Sequence, residues 1–215
     1  MPLLARWEYD GGLWGVWKMS ESAGELEAML DDRSLFGPEL DGVRSPKRRM
    51  EILGVRVLLK TLSGKECRVV HAPSGKPCLE GEERQVTISH TGGYVAVGLH
   101  DRLVPGIDIE QVGDRVRKVA SRFVRADELP GAENMTDREY LLQLLLHWSA
   151  KETLYKVLDQ EGVDFLGHLR IRPFTLSGEG EFPGESLFPT AGGVFPVRYF
   201  IHPDFVCTYC CRERR

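Results

Sequence analysis

The sequence predicts an α+β fold in two halves. Two segments, 45–60 and 137–158, carry apolar residues at helical spacing. Each is accompanied by short apolar runs of strand character, and the two sets meet near residue 104. The division falls at 1–103 and 104–215. A chain of 215 residues, 42% of them hydrophobic, has the material for one large core or for two cores of about 100 residues each.

In chain order, Ser45 to Lys60 places Ile52, Val55 and Leu59 on one helical face, widened by Leu53, Val57 and Leu58, with Ser-Pro as its start signal. Gly64 to Glu82 is rich in loop residues. Val86 to His90 and Tyr94 to Leu99 read as strands joined at Thr91-Gly92-Gly93, and Val104 to Glu110 reads as a third strand after the tight connection 100–103. A short basic amphipathic helix is predicted over Asp114 to Val124, with Val116, Val119, Ala120 and Phe123 on one face. A long helix follows from Asp137 to Leu158, then several strands to the end.

Composition removes several classes of function. The net charge of −4 is wrong for a general nucleic-acid binder, which needs excess Lys and Arg to displace counterions. Met1 to Asp10 lacks the apolar core of a signal peptide, and no apolar run approaches the ~18 residues of a membrane span. The expectation is a cytoplasmic protein with no membrane partner. Of the five cysteines, Cys207, Cys210 and Cys211 cluster near His202, a spacing that raises the question of zinc. Asp204 to Cys211 reads as a strand, however, which turns Cys207 and Cys210 to opposite faces, and Cys67 and Cys78 supply no second close pair. Buried free thiols are the better reading.

Three constellations carry chemistry. In Gly106-Ile107-Asp108-Ile109-Glu110 the strand alternation puts both carboxylates on one face, about 7 Å apart at Cβ. Hard oxygen donors at that separation suit Mg²⁺, and the pattern equally fits a half-buried strand with a solvated acidic face. In Trp148 to Lys156 (WSAKETLYK), Trp148, Glu152 and Lys156 recur at i, i+4 and i+8. Traced backwards, that stripe is Leu145, Leu144 and Leu141, so an apolar face turns charged after Trp148. Uncompensated burial of charge is costly, which makes this end of the helix either the wall of a charged site or a surface ion pair. Finally, Gly75-Lys76-Pro77 and Ser89-His90 ahead of Gly92-Gly93 have the makings of a phosphate cradle, with Lys47, Arg48, Arg49 and Arg56 as further cations. No GxxxxGK[ST] or GxGxxG is present.

Taken in order, GKPCL (75–79), VTISHTGGYVAVGL (86–99), GIDIE (106–110), Arg122-Phe123 and WSAKETLYK (148–156) resemble the 4′-phosphopantetheinyl transferase superfamily, in particular its larger type that activates peptide and polyketide synthases. The resemblance covers some 110 residues of the middle and, more loosely, the early basic helix. It implies a pseudo-dimer of two similar α+β halves with coenzyme A in the cleft between them. It implies an enzyme that moves phosphopantetheine from coenzyme A to a serine of an acyl or peptidyl carrier protein, releasing 3′,5′-ADP, for which a monomer suffices. Asp108 and Glu110 would hold Mg²⁺, with Glu152 as third ligand or general base. Lys156 would assist the pyrophosphate, and Lys151 stands at a position associated with phosphate contact. Lys76, Pro77, Ser89 and His90 would hold the nucleotide phosphates, and Arg49, or else Arg48 or Arg56, the 3′-phosphate. After Lys156 the chain reads Val157 to Phe165 where several relatives have Gly-Lys-Gly. Two alternatives remain at this point: a non-catalytic module of the same fold that binds coenzyme A or carrier proteins, and a Mg²⁺-dependent phosphodiester hydrolase.

Overall fold

A computed structural model describes residues 2–214, which form two compact units. One runs up to Pro105 and takes in the tail from Glu213; the other is Gly106–Arg212.

The first unit carries an antiparallel sheet of strands β1 (Leu3–Tyr9), β2 (Gly12–Lys18), β3 (Val69–His71), β4 (Pro77–Leu79), β5 (Gln85–Thr91) and β6 (Tyr94–His100), in the order β1-β2-β6-β5-β4-β3. Two short helices, α1 (Ala23–Ala28) and α2 (Gly37–Asp41), precede the long α3 (Pro46–Ser63). The α3 N-terminus is capped by the Ser45 side chain with Pro46 at its first position, and its C-terminus closes on Gly64 at φ 77°. Its apolar face packs on β2 and β6 in a core that includes Ile52, Val55, Leu59, Val95 and Val97. The predicted strands 86–90 and 94–99 are both present, one residue longer at most ends. The hairpin β1-β2 was not read from the sequence. It turns on Asp10 (φ 52°) and Gly11 (φ 79°), the two positive dihedrals that a two-residue hairpin demands. The loop-rich stretch 64–82 also contains the short pair β3-β4, closed by the turn Ala72–Lys76.

The second unit contains β7 (Val104–Gln111), a nine-residue 3₁₀ segment (Asp114–Arg122), α4 (Asp137–Leu158) and strands β8 (Leu169–Ile171), β9 (Glu179–Ser186), β10 (Gly193–Ile201) and β11 (Phe205–Arg212), in the sheet order β7-β11-β10-β9-β8. α4 opens with a capping box between Thr136 and Glu139 and packs chiefly on β11. Segment 114–122 is 3₁₀ where an α-helix was expected. Its apolar residues 116, 119, 120 and 123 keep the i, i+3, i+4, i+7 spacing of an α-helix, so the spacing did not distinguish the two geometries.

The two units repeat one plan: a strand, a long helix, then four strands, with the last strand paired beside the first. β2-β6-β5-β4-β3 corresponds in this way to β7-β11-β10-β9-β8, with β1 added at one edge. The fold is therefore α+β in two similar halves, the pseudo-dimer the resemblance implies. None of the described helices is long and apolar enough to cross a membrane. The five cysteines are free; Cys67, Cys207 and Cys210 are buried.

Candidate active site

β7 and α4 build the site in the second unit. β7 alternates as the sequence reading requires: Ile107 and Ile109 are buried, and Asp108 and Glu110 share the other face. The strand lies close enough to α4 that a Cβ on Gly106 would stand 2.6 Å from both the Thr153 carbonyl oxygen and Val157 Cγ1. That close approach sets Lys156 against β7. Its ammonium donates to Asp108 Oδ1 at 2.9 Å and to the Ile107 carbonyl at 2.8 Å. One turn earlier on α4, Glu152 is half-buried. One turn before that, Trp148 Nε1 donates to Glu110 Oε1 at 2.8 Å.

These carboxylates act on one another. Burial pushes Glu110 up to about 7, and the charge of Asp108 adds to the effect, with Glu152 contributing and the Trp148 bond and Lys156 opposing. Burial pushes Glu152 up to about 7 as well, again aided by Asp108 and opposed by Lys156. Cys207 lies fully buried beneath them, its thiol held protonated by burial and by Asp108.

Among the described residues, no three His, Cys, Asp or Glu side chains are gathered tightly enough to grip a metal ion as they stand. The donor chemistry nonetheless fits a hard divalent cation: three mutually repelling carboxylates, two with raised proton affinity, and one ammonium already supplying the positive charge they call for. Asp108, Glu110 and Glu152 are the residues that would hold it.

Lys151 requires a correction. It is 0% exposed and forms an ion pair with Glu128 at 2.8 Å. Its remaining donors go to the carbonyls of Phe123 and Phe165. With all three N–H groups used inside the core it has none for a phosphate. One residue before Glu152, it is turned about 100° from that side chain around α4, towards the interior.

The phosphate-binding expectations of the first unit fall on α3, β4 and β5. Arg48 Nη1 lies 3.2 Å from His90 Nε2, and both reach the buried Glu51, Arg48 at 3.5 Å and His90 Nδ1 at 3.4 Å. Lys47 also approaches Glu51, at 3.8 Å. Arg49 turns instead to Glu27 at 3.2 Å. Arg56 is less accessible than Arg48: it is 6% exposed, burial lowers its pKa, and its guanidinium is engaged with Glu39. Ser89 is buried in β5 beside His90, while Lys76 and Pro77 lie at the turn into β4. Glu51, which gathers these cations, was missed. Its i+3 and i+4 offsets from Arg48 and Lys47 on one helix face were the available signal.

Residues 105–210 match the family model of the 4′-phosphopantetheinyl transferase superfamily, and this part of the chain belongs to that superfamily. Asp108, Glu110, Glu152 and Lys156 all lie within the match; the candidate phosphate residues of the first unit lie outside it. No curated protein matches the chain.

Proposed function

We propose that this protein transfers the 4′-phosphopantetheine arm of coenzyme A to a serine of an acyl or peptidyl carrier protein in a Mg²⁺-dependent reaction, releasing 3′,5′-ADP. The observation that carries the reading is the meeting of Asp108, Glu110, Glu152 and Lys156 on β7 and α4 within the superfamily match. A divalent ion at the three carboxylates would neutralise charge on the pyrophosphate as the phosphoanhydride bond breaks. Glu152 is either the third ligand of that ion or the base that removes the serine proton, and its pKa of about 7 without metal suits the second role at neutral pH. Lys156 supplies an ammonium to the leaving pyrophosphate oxygen. Arg48 with His90 is the better pair for the nucleotide phosphates, assisted by Ser89 and the Lys76-Pro77 turn, with Arg49 the alternative for the 3′-phosphate. The same reading has the protein acting in the cytoplasm, and as a monomer, since each chain carries both halves.

Carrier proteins of this kind are acidic. In the 3₁₀ segment Arg115, Lys118 and Arg122 are exposed and make no ion pair among the described residues, whereas Arg117 is paired with Asp114 and Asp137. This basic row is our candidate for steering the carrier.

The deciding experiment incubates the protein with apo-carrier, coenzyme A and Mg²⁺ and follows the intact mass of the carrier. Gain of one phosphopantetheine arm supports transfer. Release of 3′,5′-ADP without that gain would point to hydrolysis, and neither product to a binding module.

A further inference from the structure

Lys151 and Glu128 form an ion pair whose side chains are both 0% exposed. Such a pair adds little stability over well-packed apolar residues, because desolvating two charges offsets their attraction. Its geometry points to another use. The Lys151 ammonium ties down the carbonyl of Phe123, at the end of the 3₁₀ segment, and that of Phe165, in the loop after α4. Glu128 in turn accepts from the backbone N–H of Arg125 and of Ile171, each at 2.6 Å. Arg125 Nη1 adds a bond to the Leu166 carbonyl at 3.2 Å.

The two residues whose main chain Lys151 holds are the two whose rings flank Trp148. Phe123 meets the indole edge-on at 5.1 Å, and Phe165 meets it at 5.5 Å with a 43° tilt. Trp148 then spends its only polar atom on Glu110 Oε1. Taking from the transferase reading only what Glu110 does, we propose that Lys151 is a positioning residue. Paired with Glu128, it clamps Phe123 and Phe165 about Trp148 so that the indole N–H fixes the rotation of the Glu110 carboxylate. One oxygen is thereby pinned and the other left for the cation. Partners of this kind behind a ligand commonly carry 10–100-fold of metal affinity, roughly, when they are lost.

The test uses the full chain, metal-free and ¹⁵N-labelled. The sequence has four tryptophans, so four indole N–H resonances are followed, and Trp148→Phe identifies the one from Trp148. The double variant Lys151→Met/Glu128→Gln removes the pair without stranding a charge. It is expected to move the Trp148 indole resonance upfield and speed its exchange with water by roughly tenfold, the other three staying in place. An unmoved Trp148 resonance overturns the proposal. If the double variant does not fold, Phe165→Leu, on a half-exposed loop, is read in the same way with the same two outcomes. The Mg²⁺ concentration for half-maximal transfer is then expected to rise about tenfold in both Trp148→Phe and the double variant, and no further when they are combined, because they act along one chain of contacts. Compounding effects would overturn it. If the wild-type protein performs no transfer, the transferase reading fails on its own, and the indole resonance still decides this one.

Discussion

Lys156 on α4 donates to Asp108 on β7 at 2.9 Å, joining the helix to the strand where the carboxylates gather. The ammonium lies against Asp108 beside two carboxyls that burial drives towards their protonated forms. Asp108→Ala and Glu152→Ala are therefore each expected to lower carrier modification by about a hundredfold or more, the scale on which a general base or a metal ligand acts. Circular dichroism and melting should remain those of a folded protein. Full activity in either variant would remove the assignment.

The proton affinities of Glu110 and Glu152 have a consequence for stability. Both stand near 7 in the folded, metal-free protein against 4.5 when unperturbed. For a carboxyl whose folded pKa is raised, the proton it keeps contributes stability that is complete below 4.5 and is lost as pH climbs through about 7. The melting temperature of the chelator-treated protein should carry a falling component between those values. Glu152→Gln, neutral throughout, should remove its share and leave that of Glu110. At pH 7, adding Mg²⁺ to unbuffered protein should release protons, since ligation requires the ionised form. A flat profile in the wild-type protein, or no proton release, would count against the site.

Arg115 and Lys118 are exposed on the 3₁₀ segment. Their joint reversal to Glu should raise KM for the carrier by about tenfold at low salt while leaving KM for coenzyme A in place, with the difference shrinking as salt is added. Equal changes in both constants would show that the segment does not meet the carrier.

In the first unit, Arg48 and Arg56 are expected to separate cleanly. Arg48→Ala should raise KM for coenzyme A with little loss of stability, because its side chain is exposed and near His90. Arg56→Ala strands Glu39 and opens a buried space, so it should cost about 1–3 kcal/mol of stability, seen as a lower denaturation midpoint. The reverse pattern would restore Arg56 as the phosphate contact.

Gly106→Ala is expected to destabilise the protein by about 1–3 kcal/mol, since its methyl would meet the Thr153 carbonyl and Val157 within 2.6 Å. If the strain is relieved by moving β7 from α4, activity should fall further than stability does. A neutral substitution would mean that this close packing does not set the site.

The parts legible in the sequence were those written in short periods. The two-residue alternation of β7 placed Asp108 and Glu110 on one face, and the i, i+4, i+8 stripe of α4 aligned Trp148, Glu152 and Lys156. The Ser-Pro start of α3 and the Gly92-Gly93 hairpin are equally local, and the Thr136 cap of α4, though as local, was not read. Asp10-Gly11 was just as local a signal for β1-β2 and was passed over.

By itself, the sequence determined an α+β chain in two halves and the identity of the charged set on β7 and α4, because spacing along a strand or a helix dictates which side chains share a face. Only the tertiary structure decided which charges stay near the surface and which are spent inside. Lys151 looked equivalent to Lys156 until Glu128 met it in the core, and Arg56 looked equivalent to Arg48 until Glu39 did. A buried charge is tolerated only where a partner is brought to it, and these partners come from other elements that only folding places alongside.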